Sequence, residues 1–305
     1  MRKLLTCAVP ALWLLTHLTL SAPYIQEKSI IDDLGEIHIL GSPPERIISL
    51  APNITEILFA LGLEEKIVGV TRYCNYPINA RTKTRIGGLV DPDLEKIIHL
   101  QPDLVIAYRG NPLNLVHRLK DLGLPVFVLE AGTTVESALH LIERIGVVTR
   151  KEKASQGLIA RLKKNYKKIR DRLANADIRP KVFINLHGKG LWTCGKNTFL
   201  NDMVLKAEAI NIAGEVDRAW FNYNREELIH QNPDYIVVIT KSKEDFLDVK
   251  TWFKEQSHLG SIKAIQNENI FLLNEDLVTR LGPRIFEAFE QLARILHSSS
   301  FEAGI

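Results

Sequence analysis

The chain has 305 residues, enough for two domains of ordinary size. Hydrophobic residues make up 46% and charged residues 25%, a balance that excludes a disordered chain. A formal net charge of +3 is too small to argue for nucleic acid, so no nucleic-acid partner is expected.

Residues 1–22 have the shape of a secretory signal peptide: Arg2 and Lys3, a mostly apolar run over 4–20, then the small residues Ser21 and Ala22. The run is short and interrupted by Thr6, Thr16, His17 and Thr19, unlike a membrane span. No cysteine follows it, so no lipid-attachment site is expected, and the mature protein is expected to be soluble and exported. Cys7 leaves with the leader. Cys74 and Cys194 remain in different halves of the chain, in no CxxC pair, and are expected as buried thiols without zinc or redox work.

Residues 23–45 are a lead-in with a small edge strand around Ile37 and Ile39. The organising stretch follows: an apolar run over 47–50, Pro52, then Ile54, Ile57, Leu58 and Leu61 at helical spacing, closed by Gly62. Asn53 is expected as the helix N-cap, with Glu56 three residues on as in a capping box. A second strand over 67–70 leads into a long loop over 71–92, of the length that is often functional. Helices near 93–100, 112–122 and 134–148 alternate with strands at 104–107 and 126–129. These strands are continuous apolar runs, so the sheet is mainly parallel.

Residues 151–176 carry a helical stripe of Leu158, Leu162, Ile169 and Leu173 among many Lys and Arg. At ~1.5 Å per residue they make a rod of about 40 Å, read as a helix joining two lobes, its basic face solvated. A second α/β unit then repeats the pattern: strands at 181–186, 235–239 and 270–273, helices near 198–207, 225–231, 244–256 and 283–297, and a loop over 187–195. The stretch Glu95-Lys-Ile-Ile-His-Leu-Gln-Pro-Asp recurs as Glu226-Glu-Leu-Ile-His-Gln-Asn-Pro-Asp. In both copies a helix ends, Pro-Asp turns and a buried strand follows. The division is therefore a leader over 1–22, an N-terminal lobe over 23–149, a linking helix over 150–178 and a C-terminal lobe over 179–305. The fold class is α/β, two similar lobes with mainly parallel sheets, a long rigid helix between them and a ligand cleft.

No phosphate-cradling GxxxxGK(S/T), GxGxxG after a strand, GxSxG elbow or HExxH is present, and no histidines have metal-ligand spacing. The chain is expected not to be an enzyme and to hold no metal; His99 and His230 are explained by the repeat. What stands out is aromatic residues in loops after strands. Tyr73 and Tyr76 follow the second strand, Tyr108 with Arg109 the third, and Trp192, Trp220 and Phe221 lie in loops of the second half. Such a set suits a large flat ligand.

The segments Arg46-Ile-Ile-Ser-Leu-Ala-Pro-Asn-Ile-Thr-Glu, Tyr73-Cys-Asn-Tyr-Pro, Gln101-Pro-Asp-Leu-Val-Ile-Ala-Tyr-Arg-Gly and Trp192-Thr-Cys-Gly-Lys resemble the periplasmic cobalamin-binding proteins of ABC importers. That family lies within a group that also carries iron-siderophores and haem. The resemblance covers nearly the whole mature chain. It implies a periplasmic protein, monomeric, that takes up a corrinoid such as cobalamin as its transported ligand, with no cofactor of its own, and delivers it to a membrane-embedded ABC permease dimer. It implies ligand contacts from Tyr73, Tyr108, Trp192, Trp220, Asp276 and Arg280, and docking carboxylates at Glu95 and Glu226; Arg109, beside Tyr108 after the third strand, is a further candidate contact. A family tryptophan falls near Leu89 or Val90, so one aromatic wall is missing here. Haem, with Tyr73 or His187 as axial ligand, or a ferric siderophore is the alternative ligand. A secreted enzyme or a periplasmic scaffold on the same fold is the alternative of another class.

Overall fold

The computed structural model describes residues 28–302 apart from Asn175 and Asp177. The leader read over 1–22 lies outside the described residues. A hairpin of β1 (Lys28–Ile31) and β2 (Ile37–Leu40) opens the chain. The first lobe contains β3 (Ile47–Ser49), α1 (Pro52–Ala60), β4 (Ile67–Val70), α2 (Leu94–His99), β5 (Leu104–Tyr108), α3 (Leu113–Asp121), β6 (Val126–Leu129) and α4 (Ser137–Val148). Helix α5 (Glu152–Leu173) crosses to the second lobe. There follow β7 (Lys181–Leu186), β8 (Trp192–Cys194), α6 (Phe199–Lys206), β9 (Ile210–Asn211), β10 (Trp220–Asn222), α7 (Arg225–Gln231) and β11 (Tyr235–Thr240). The chain ends with α8 (Lys243–Glu255), α9 (Lys263–Gln266), β12 (Ile270–Asn274), α10 (Glu275–Val278), α11 (Ile285–Leu296) and α12 (Ser298–Glu302).

Each lobe is built on a four-stranded parallel sheet, in the orders β4-β3-β5-β6 and β12-β11-β7-β9. Counted within its own lobe, each sheet reads second, first, third, fourth, so the sequence repeat is a repeat of topology. The Pro-Asp turns have a physical role in both copies. Asp103 accepts the backbone N–H groups of Glu45 and Arg46 at 2.7 and 2.8 Å, and Asp234 that of Lys181 at 2.9 Å. Each aspartate thus fixes the start of the strand beside it. Strands are buried on both faces, and two apolar clusters flank each sheet, which is why they read as unbroken apolar runs.

Helix α5 belongs to both cores. Leu158 packs in the first lobe, Ile169 and Leu173 in the second. Each fully buried side chain of this kind contributes ~1.5–3 kcal/mol, so both ends of the rod are held. The start of α4 also enters the second core through Val135, Ala138 and Leu139, and the Val135 N–H donates to Asp202 at 2.9 Å.

Local expectations differ in four places. Asn53 is not the N-cap: Ala51 occupies that position with Pro52 at the first turn, and Asn53 lies inside α1, its amide reaching the Leu281 carbonyl. Glu56 forms no capping box, being turned into the lobe interface instead. Trp192 and Trp220 are not in loops but on β8 and β10, which pair antiparallel. Helix α4 begins at Ser137, with a turn over 134–136 before it. Gly62 does close α1, at φ +71, where a Cβ would be strained.

Candidate ligand cleft

In open parallel sheets, ligands collect beyond the carboxyl ends of the strands. Here those ends face each other. Between them lies a cleft of about 390 Å³ lined from both lobes. Its first-lobe wall holds Ala51 and Pro52 after β3, Tyr73 and Leu89 from the long loop, Tyr108 at the end of β5, and Gly132. The second-lobe wall holds Phe199 at the start of α6, Lys241 after β11, and Asp276 and Arg280 after β12. Gly132 has φ +78, and a Cβ there would meet Ser137 Oγ at 2.4 Å, so this turn of the wall accepts only glycine without strain.

Of the seven residues read as ligand contacts, Tyr73, Tyr108, Asp276 and Arg280 line this cleft. Tyr73 is 47% exposed, its ring open to a ligand. Tyr108 is more covered, and burial, with Glu130 nearby, pushes its hydroxyl pKa up, so it remains a neutral donor. Trp220 is 43% exposed and stands edge-on to Phe199, ring centroids 6.3 Å apart, continuing the aromatic wall beyond the cavity. Trp192 sits two pairs along the same antiparallel ribbon, 6.3 Å from the His187 ring, outside the cavity lining. Arg109 is turned away: its guanidinium pairs with Glu130 at 2.6 Å on the surface. His187 is not in the cleft lining; with Lys189 and Asp248 it lines a hollow of the second lobe that adjoins the cleft through the shared Lys241 and Glu275. Leu89 supplies an aliphatic wall at the place of the missing tryptophan, and Val90 points to solvent.

Three residues of this region were not singled out as site residues from the sequence. Phe199 and Arg284 read only as parts of helices, and Asn75 only as part of the Tyr73-Cys-Asn-Tyr-Pro segment of the long loop. Arg280, 9% exposed, uses all four of its terminal N–H groups. One nitrogen donates to Asn75 Oδ1 at 2.6 Å and Glu56 Oε1 at 3.2 Å; the other to Asp276 Oδ1 at 2.7 Å and the Tyr73 carbonyl at 3.3 Å. Arg284 donates to both oxygens of Glu56, at 2.5 and 2.9 Å, and lies 3.8 Å from the Tyr76 ring centroid. Burial alone would loosen the proton of Arg284, but the Glu56 carboxylate outweighs it and holds the guanidinium pKa above its usual value.

Glu95 and Glu226 are both exposed and occupy the second position of α2 and α7. Asp93 and Asn224 cap these helices in the same way, accepting the Lys96 and Glu227 backbone N–H groups. The thiols of Cys74 and Cys194 are buried and free. Burial pushes both up, Cys194 to about 12, so neither is a reactive or ligating thiolate at neutral pH.

One group of metal-competent side chains occurs among the described residues: Asp32, Glu36 and His38, with ligand atoms within 4.8 Å of one another. Their chemistry argues for an ion-pair cluster. Asp32 accepts the N–H groups of Leu34, Glu36 and Val128, and the Lys120 ammonium lies 2.6 Å from Glu36 and 4.0 Å from Asp32. The cluster pins the β1–β2 hairpin to the first lobe. No helix among the described residues is long and apolar enough to cross a membrane.

Comparison with known proteins agrees with this architecture. A family model described as periplasmic binding protein matches residues 47–277. An uncharacterized ABC transporter substrate-binding lipoprotein of Bacillus subtilis, YvrC, is 30% identical over 279 residues, 89% of this chain and 86% of that one. The crystal structure of the periplasmic vitamin B12 binding protein BtuF of Vibrio cholerae superposes with a TM-score of 0.73 at 27% identity, covering 85% of this chain and 99% of that one. The apo form of the periplasmic heme-binding protein RhuT from Roseiflexus sp. RS-1 gives 0.75 at 25% identity, covering 85% and 100%. The chain thus belongs to the periplasmic binding proteins, non-enzymatic extracytoplasmic substrate-binding components of ABC transporters.

Proposed function

We propose that this protein captures cobalamin or a related corrinoid in the cleft and delivers it to a membrane-embedded ABC permease dimer. The observation that carries the reading is the charge balance of the cleft floor. Every terminal N–H of Arg280 is already bonded, and Lys241 faces Glu275 at 3.5 Å. Haem would bring carboxylates to such a floor and find no unpaired cation among the described residues that line it. A corrinoid brings neutral amides, which can exchange hydrogen bonds with Asp276, Asn75 and Arg280 without a charge being stranded. Tyr73, Tyr108 and Phe199, extended by Trp220, offer the flat apolar faces that a corrin ring would cover. Likeness to the vitamin B12 binding protein of Vibrio cholerae supports the same ligand class. Glu95 and Glu226, one per lobe on equivalent helices, are suited to docking on arginines of the two permease subunits.

Haem remains the second reading. The half-exposed Tyr73 ring in the cleft is a usable axial ligand, and the likeness to RhuT favours it. Titration of the purified protein with cyanocobalamin, haemin and a ferric siderophore, by calorimetry and absorbance, separates the two. One-to-one binding of cyanocobalamin alone is expected; binding of haemin or siderophore instead overturns the ligand assignment.

A further inference from the structure

We propose that Glu56 is a positioning residue: acting from the first lobe, it fixes the pose and the charge of Arg280 at the cleft floor, and through it the preference for neutral over carboxylate-bearing ligands. The choice of ligand rests on the corrinoid reading above; the mechanism rests on the cluster itself.

Glu56 lies on α1, 3% exposed, and does not line the cleft. Its carboxylate takes three hydrogen bonds, all from the second lobe: one from Arg280 and two from Arg284. On the cleft side Asp276 holds Arg280, and Asn75 bridges the two, accepting from Arg280 at 2.6 Å and donating to Asp276 at 2.8 Å. Within the hydrogen-bonded cluster two carboxylates therefore balance two guanidinium groups, while Glu287 lies outside it and acts on Arg284 only through space. The cluster divides the lobe interface: Asp276 and Arg280 face the cleft, while Glu56, Arg284 and Tyr76 line a groove of about 520 Å³ behind it, bounded by α5 and α11. In a poorly solvated interface, removing one of four balanced charges leaves a unit charge uncompensated, and its field reaches the cleft through Arg280. A neutral amide edge is indifferent to the sign of that charge. A carboxylate edge is not.

The sign gives the test. Glu56→Gln keeps the shape and leaves the cluster one charge positive. Cyanocobalamin should bind about tenfold more weakly, because Arg280 keeps Asp276 and Asn75 but loses the charged one of its holds from the first lobe, whereas haemin, with two carboxylates, should bind as well as before or better. Arg284→Gln, made from the rear groove, leaves the cluster one charge negative and should shift haemin affinity the opposite way. Glu56→Asp keeps the charge and should keep the ratio of the two affinities. A fall of both affinities by the same factor in Glu56→Gln, or a haemin shift of the same sign in Glu56→Gln and Arg284→Gln, overturns the proposal and leaves only a structural clasp. Should Glu56→Gln fail to fold, the Arg284→Gln shift in haemin affinity decides alone, weaker binding supporting the proposal and unchanged or tighter binding overturning it. Wild-type protein that ignores cyanocobalamin and binds haemin refutes the corrinoid assignment only, because the opposed signs are read on haemin itself.

Discussion

Tyr73→Ala should weaken ligand binding roughly tenfold without unsettling the fold. The ring is 47% exposed in the unliganded cleft. A tyrosine offers roughly 150–250 Å², so about 70–120 Å² of this one waits to be covered. At ~25 cal/mol per Å² full coverage is worth ~2–3 kcal/mol. Lost motion and imperfect desolvation leave ~1–2 kcal/mol of it in the affinity, or about 5- to 30-fold in Kd. The truncation spares the interface cluster, because Arg280 bonds to the Tyr73 carbonyl and not to its side chain. What is lost besides the ligand face is the Arg72 guanidinium 5.7 Å from the ring, an exposed contact of little weight. Calorimetric titration beside a urea melt reads both quantities. An unchanged Kd would mean that the ligand does not cover the ring. A stability loss of ~2 kcal/mol or more would mean that the ring is a packing element, and either result refutes the reasoning.

Charge reversal of both docking carboxylates, Glu95→Lys with Glu226→Lys, should leave ligand affinity unchanged and cut uptake through the reconstituted permease at least about tenfold; unimpaired uptake would remove the docking assignment. Asp32 gives a pH dependence. Burial pushes its carboxyl pKa up, but the N–H groups of Glu36 and Leu34, the His38 ring and the Val128 N–H outweigh this and hold it below the usual value. A carboxyl with a depressed folded pKa stabilises above its unfolded pKa of about 3.9 and loses that contribution as pH falls through the folded value. Asp32→Asn should therefore lower the urea midpoint at pH 7, and the gap to wild type should narrow as pH falls below about 3.9; a gap that persists unchanged at acid pH would refute the assignment. Cys74 and Cys194 should resist iodoacetamide at pH 8 in the native protein and react only in urea. Stoichiometric labelling of folded protein would contradict their burial.

Much of the architecture was legible because it depends on local order. Strands buried on both faces must be apolar throughout, so β3, β5, β6, β7 and β11 announced themselves. The α5 stripe and the Pro-Asp repeat likewise gave two lobes and a link. The two-stranded ribbon of β8 and β10 was not legible: three-residue strands carry no periodicity, and their partners are supplied by distant chain. Nor was the N-terminus of α1. Asn53 and Glu56 have the spacing of a capping pair, and local chemistry alone favours that reading.

The sequence by itself thus determined the α/β class, the duplicated lobe, the bridging helix and the presence of aromatic residues near strand ends, since each follows from the residues' own pattern. Only the tertiary structure decided which aromatics share one cleft, that Arg109 and His187 lie outside it, and that Glu56 leaves its own helix end for Arg280 and Arg284. A carboxylate's partner is chosen by distance in space, and those two arginines come within 3.2 Å of it only once both lobes have folded around α5.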